Sequence, residues 1–209
     1  MTRLIIVGAG GHGSVLAEAA VLSKIWSSVC FVDDRQDCDA SVVGFPVLGS
    51  TELLGELVDE ETRFFVAIGQ NRYRDEALSS IREQGGSLAN VIHPAAVVSP
   101  SALVESGTGI CAGAVVNARA SIGRGSIINT SATIDHDCIL GCAVHISPGA
   151  HLAGGVTVGD RSWIGIGAVV KEGISIGDDC VVGAGASVVE DVGSGMTVVG
   201  VPARPMEKP

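Results

Sequence analysis

Aromatic side chains are scarce in this chain: two Trp, one Tyr and four Phe among 209 residues, or 3%. A hydrophobic fraction of 46% must therefore rest on Val, Ile, Leu, Ala and Cys, which suits a narrow interior better than a thick aromatic core. Positive charge is also thin. Lys and Arg total 13 against 23 Asp and Glu, giving a net charge of −10 with no basic cluster, which argues against a partner recognised through a nucleic-acid backbone. An anionic ligand would need local donors. No Cys-x-x-Cys pair occurs among Cys30, Cys38, Cys111, Cys138, Cys142 and Cys180, so reduced and mostly structural thiols are expected. Long apolar runs are missing as well. Leu4 to Val7 is broken at once by glycine, too short for a signal peptide or a membrane span, so no membrane insertion is expected and the cytosol is the expected compartment.

What the chain has in quantity is glycine, 29 residues, and a period of six. From Val98 every sixth residue is aliphatic: Val98, Val104, Ile110, Val116 and onward through Ile134, Leu140, Ile146 and Leu152 to Val188, sixteen stations without a charge. Four residues after each station the chain mostly selects small side chains, such as Ala102, Ala114, Ser126, Cys138 and Ala150. A helix repeats near 3.6 and a free strand near 2, so neither explains six. A triangular coil does: each hexad supplies one short strand and a corner, and three hexads close one turn of eighteen residues. Gly123, Gly141, Gly159 and Gly177 recur at that spacing, as do Gly149, Gly167 and Gly185, as corners needing positive φ or close backbone approach would. Stacked coils make a solenoid, about five of them and roughly 25 Å tall at ~4.8 Å per strand.

This pattern resembles the hexapeptide-repeat acyltransferases, which implies a left-handed parallel β-helix. The hand comes from the resemblance, because the period alone defines a prism of either hand.

Ahead of the prism, Arg3 to Val7 reads as a buried strand. Gly8-Ala9-Gly10-Gly11-His12-Gly13 leads into a helical pattern from Val15 to Lys24, and a second strand, Val29 to Val32, ends at Asp33-Asp34. This is the dinucleotide fingerprint, in which glycines admit a phosphate to a helix N-terminus and an acid takes a ribose hydroxyl. Read literally it says NAD. The α/β part ends near residue 92, however, leaving room for one mononucleotide-binding half and no dehydrogenase domain. Further expectations are a turn at Gly44-Phe45-Pro46-Val47, a capped helix from Ser50 to Val58, a strand from Arg63 to Ile68, a helix from Gln70-Asn71 to Glu83, and a strand from Leu88 to Ile92. The expected division is a Rossmann-like α/β domain, 1–92, and a β-helix domain with a C-terminal tail, 93–209.

With Ile-Gly-Gln-Asn at 68–71 added, the whole chain looks like the nucleotide-sugar and sialic-acid acetyltransferase family. That resemblance implies that Gly10, Gly11, His12, Gly13, Asp33, Asp34, Asn71 and Arg72 contact a nucleotide-sugar, and that acetyl-CoA is the co-substrate. Gln70 departs from the Asn the family often carries.

Of the five histidines, His136 lies between Asp135 and Asp137, and one coil later stand Gly154 and Gly155, leaving an open slot above the ring. A base oriented by a carboxylate suits proton abstraction during acyl transfer. The resemblance implies His136 as general base and Asp137, rather than Asp135, as its partner. It also suggests His145, on the prism surface, for a site shared with a neighbouring subunit, and Asn129 as a weaker substrate contact. Zinc, as in the carbonic anhydrases of the same fold, is disfavoured because His145 and His151, six apart, point in different directions. Gly154, Gly165, Gly167, Gly183, Gly185 and Arg204, the last in Gly-Val-Pro-Ala-Arg, are the coenzyme A candidates. Ile139, Ile127, Val169 and Val181 are expected outside the prism and poorly placed in water, which with the family points to a homotrimer. The resulting expectation is an acetyl-CoA-dependent N-acetyltransferase for a UDP-4-amino-4,6-dideoxy sugar, as in bacillosamine-type glycan pathways. O-acetylation of sialic acid and a non-catalytic nucleotide-sugar scaffold are the alternatives.

Overall fold

A computed structural model describes residues 2–35 and 40–206. Its α/β part contains β1 (Arg3–Val7), α1 (Gly11–Ser23), β2 (Ser28–Val32), β3 (Ser41–Val42), β4 (Phe45–Pro46), a 3-10 helix (Thr51–Leu57), β5 (Thr62–Val66) and α2 (Asn71–Glu83). Strands β2, β1 and β5 form a parallel sheet in that order, with both faces covered as their unbroken apolar runs require. The first helix starts four residues earlier than its apolar pattern, at Gly11, so the glycine-rich stretch is itself the first turn. Gly13 is required there, since a Cβ would strike the Gly8 carbonyl. The segment after Ser50 is a 3-10 helix and Ser50 makes no capping bond; Asp34 caps it instead, accepting from the Thr51 N–H at 2.7 Å and the Thr51 hydroxyl at 2.8 Å.

From Val91 the chain winds into short strands, nearly all of two residues and parallel, that stack in three sheets of six, five and eight strands; the last pairing, of Thr197–Val199 with Arg204–Pro205, is antiparallel. Partners in successive coils lie eighteen residues apart, for example Val116 with Ile134 and Ile134 with Leu152. This is a left-handed parallel β-helix of about six turns, one more than the sixteen sequence stations give. Two details account for the extra turn. Ile92 is already a station, paired with Ile110, so the expected strand from Leu88 divides: Leu88 bridges Phe64 of the α/β sheet while Val91–Ile92 belongs to the prism. At the other end the last coil is two residues short, pairing Val182 with Val198 and Ile176 with Val192, which breaks the period after Val188.

The bore is filled by the stations and the small residues between them, all close to fully buried from Ile110 to Val188. The two glycine columns do different work. Gly149, Gly167 and Gly185 sit at φ of 62°, 64° and 65°, the left-handed corner, whereas a Cβ on Gly159 would stand 2.6 Å from the Gly177 carbonyl carbon of the next coil. The five described cysteines are free, and Cys38 lies outside the described residues. Among the described residues no helix is long and apolar enough to cross a membrane.

The α/β part packs on the eight-stranded sheet. This corrects the expectation for Ile127: it points out of the prism but is fully buried, because its sheet lies beneath the α/β domain. On the same sheet Gly109 faces Phe65 and Leu16. Ile139, Val169 and Val181 do remain exposed, at 55%, 42% and 42%.

Candidate active site

Two features could serve chemistry, and the fold holds them apart. The first is a cavity of about 610 Å³ at the carboxyl ends of β1, β2 and β5, where ligands bind in open α/β sheets. Gly10, Gly11 and His12 line it at the start of α1, a helix with no side-chain cap and no acid in its first turn, so its amide dipoles face the cavity uncompensated. Arg35 stands over Gly10, its guanidinium 3.9 Å from where a Cβ would be, and adds positive charge. A helix N-terminus beside a guanidinium has the charge to suit an anion such as phosphate.

Asp33 and Asp34 line the same cavity. Asp33 is 4% exposed and already accepts from the Ala9 N–H at 2.7 Å and the Arg35 N–H at 2.8 Å. Burial alone would raise its pKa; those two amides and the Arg35 side chain outweigh it and hold the carboxyl below its ordinary value. Its present work is to fix the glycine-rich loop. Arg35, Thr51, Gln70 and Tyr73 are further polar side chains in the lining and were not among the sequence-derived contacts, although Arg35 is legible as the cation directly after the acid pair.

Gly13, Asn71 and Arg72 do not line it. Gly13 is buried under Gly8. Asn71 is 7% exposed and committed to the domain junction: its Nδ2 donates to the Arg161 and Ser162 carbonyls at 2.8 and 3.1 Å, and its Oδ1 accepts from Arg74 at 2.8 Å. Arg72 is on the outer face of α2, paired with Glu76 at 3.1 Å. Arg74, which the sequence does not single out, is the centre of the junction. Fully buried, it donates to the carbonyls of Gly125 (2.7 Å), Ala143 (2.7 Å) and Ile68 (2.9 Å). Burial lowers its pKa to about 9, leaving it charged at neutral pH.

His12 and His145 meet at this junction with ring centroids 6.5 Å apart. His145 is therefore not on an open prism surface; it is 7% exposed, stacked on Trp163 at 4.9 Å, and its Nε2 is 3.2 Å from Asn129 Nδ2. Desolvation first, then the Arg74 charge, push His12 down to about 4 and His145 to about 3. Beside them a largely apolar groove of about 440 Å³ runs along the prism, lined by His145, Trp163, Gly165 and Gly183 among others. Gly154, Gly167, Gly185 and Arg204 lie outside it; Arg204 pairs with Glu190 at 3.4 Å.

The second feature is His136. It sits at the corner joining Thr133–Ile134 of one sheet to Ile139–Leu140 of the next, opposite the sheet that carries His145 and the α/β domain. Its ring is exposed and its Nδ1 is 2.7 Å from Asp137 Oδ2. Asp135 turns away, accepting from Asn117 Nδ2 at 2.9 Å and the His136 N–H at 2.8 Å. The ring leans into the slot above it: a Cβ on Gly154 would lie 2.6 Å from Cε1 and 2.7 Å from Nε2. Asp137 is held well below the usual carboxylate range, chiefly by Arg119 and then by His136, so it stays an anion and the imidazole proton belongs on Nδ1, with Nε2 as the lone-pair nitrogen.

Comparison with known proteins bears on both features. Residues 3–81 match the family model described as PglD N-terminal domain, and residues 155–190 match the hexapeptide repeat of succinyl-transferase. The acetyltransferase domain of PglB from Neisseria gonorrhoeae FA1090 superposes with a TM-score of 0.96 at 44% identity, covering 99% of this chain and 100% of that one. The chain belongs to the PglD-like hexapeptide acetyltransferases. The same PglB domain is known in complex with acetyl coenzyme A (45% identity, TM-score 0.95, 98% of each chain). Also similar is a histidine-to-asparagine mutant of perosamine N-acetyltransferase from Caulobacter crescentus, solved with CoA and GDP-perosamine (42% identity, TM-score 0.94, 100% of this chain and 98% of that one). UDP-N-acetylbacillosamine N-acetyltransferase of Bacillus subtilis (strain 168) is 35% identical over 115 residues, 54% of this chain and about half (52%) of the relative's length.

Proposed function

We propose that the protein transfers the acetyl group of acetyl-CoA to the amine of a nucleotide-activated amino sugar. The cavity at the start of α1 takes the nucleotide, its phosphates on the uncapped helix end beside Arg35. His136 accepts the proton of the attacking amine through Nε2, while Asp137 fixes the tautomer and stabilises the imidazolium. The amine nitrogen adds to the thioester carbonyl, the tetrahedral intermediate expels the thiolate, and the proton held by His136 passes to that sulfur, giving an amide, free coenzyme A and the neutral imidazole. The observation that carries this reading is the exposed His136–Asp137 pair beneath a glycine.

One chain does not complete the site. Its nucleotide cavity and His136 lie on opposite sides of the prism, so a sugar held by one copy reaches the base of another. The exposed Ile139, Val169 and Val181 fit burial between copies, and we assign a homotrimer, checked by sedimentation. In our reading coenzyme A lies in the cleft between copies and along the groove of Trp163, Gly165 and Gly183. The lack of a spanning helix among the described residues fits a cytosolic setting.

We assign a UDP-4-amino-4,6-dideoxy sugar as acceptor, following the bacillosamine relative. The perosamine relative carries GDP-perosamine and makes the GDP-linked amino sugar the second reading. Thiol release from acetyl-CoA against matched UDP- and GDP-linked amino sugars separates them. Turnover with the UDP substrate supports the first assignment, turnover with the GDP substrate the second, and turnover only with a hydroxyl acceptor refutes N-acetylation.

A further inference from the structure

We propose that Arg119 is a positioning residue for this reaction: from one coil below, its guanidinium fixes the Asp137 carboxylate so that His136 presents Nε2 to the amine. The inference rests on His136 being the base. Arg119 and Asp137 are eighteen residues apart, stacked at the same corner, with left-handed φ of 61° and 60°. The fork is two-pronged, Nε to Oδ1 at 2.6 Å and Nη2 to Oδ2 at 2.8 Å. Asp137 Oδ2 thus accepts from both Arg119 and His136, and the carboxylate plane is set by the guanidinium, not by the imidazole. A carboxylate at an exposed corner, held by the imidazole alone, would be free to rotate away from it.

The guanidinium has a second effect, through its charge. An isolated imidazole–carboxylate pair is neutral after proton uptake, which favours the imidazolium. With Arg119 the same uptake leaves a net charge of +1, so the proton is passed on more readily. Other charges near the ring are few. Asp135 is turned onto Asn117 and the His136 amide, Gly154 and Gly155 occupy the coil above, and Lys171 and Glu172 come one coil further. Arg119 is 66% exposed, so it is not part of the core.

The test is the pH–rate profile of kcat/KM, with kcat and KM separately, for the parent, R119Q, R119K and H136A. In R119Q the acid limb is expected to move to higher pH by roughly half a unit, the effect of one charge beyond the shared carboxylate acting through water, and kcat to fall several-fold with KM nearly unchanged. R119K keeps the charge but not the fork, so its limb stays with the parent while kcat still falls. A merely structural Arg119 would lower both variants' melting temperature and leave the limb in place. The proposal is overturned if R119Q keeps the parent's profile and kcat, or, should R119Q melt early, if R119K keeps the parent's kcat. H136A separates the two readings: full activity there removes the base assignment itself, whereas an inactive H136A beside a parent-like R119Q removes only the role of Arg119.

Discussion

Two corners of the prism are built alike and do different things. Arg119 lies under Asp137 and Arg161 under Asp179, each pair eighteen residues apart, each a two-pronged fork, and all four residues in the left-handed region. At the first corner the residue preceding the acid is His136, and the fork stands open to solvent. At the second that residue is Asp178, and Arg161 is only 27% exposed, 3.8 Å from Asp75 of α2, while its backbone carbonyl holds Asn71. A repeating backbone supplies the same ion pair at both places. In the proposed mechanism chemistry comes from the one side chain that does not repeat, while domain anchoring comes from what packs outside.

The largest test of the contrast is at the anchored corner. Arg74→Ala leaves the Gly125, Ala143 and Ile68 carbonyls buried without their donor, and unfolding free energy should fall by about 3 to 5 kcal/mol, read from urea titration. The matching change at the open corner is Gly154→Ala, which forces the His136 ring to move. Its melting temperature should stay near the parent's while kcat drops on the order of 100-fold, as a displaced reacting group predicts.

Acid distinguishes the regions too. His12 and His145 are neutral in the folded protein down to about 4 and about 3, but take up protons near 6.5 once unfolded. The unfolded chain therefore binds more protons below about pH 6.5, and stability falls on acidification from there until pH passes the folded values. Each histidine contributes a slope of up to about 1.4 kcal/mol per pH unit. Urea midpoints between pH 7 and 5 should show this dependence, and His12→Asn should flatten it. The smallest effect is expected for Asp179→Asn, within about 1 kcal/mol of the parent in stability and with the parent's kcat, because Arg161 keeps Asp75 as a partner and this fork carries no histidine.

The prism was legible because every coil meets the same constraint: a narrow bore, a corner, and a neighbour at strand distance. Its ends were not. Ile92 reads as part of a preceding strand, and a coil shortened by two residues after Val188 has no signature in a six-residue count. In the α/β part, the glycine-rich entry into α1 was legible because a tight turn into a helix has few solutions. The junction contacts of Asn71 were not legible, because a motif names a residue type and not the carbonyls that type already holds. Arg74 escaped notice for a related reason: on sequence it is one more charge on a polar helix, and only the packed junction shows its carbonyl partners. Ile127 shows the same limit, since a period reports which way a side chain points and not what lies over it.

The proposed acetyl transfer depends most on the imidazole at the open corner. Coenzyme A thiol liberated per enzyme, measured with acetyl-CoA and the nucleotide amino sugar that the parent turns over, should fall about 1,000-fold in His136→Ala with the fold intact by circular dichroism. Turnover equal to the parent's in that variant would contradict it.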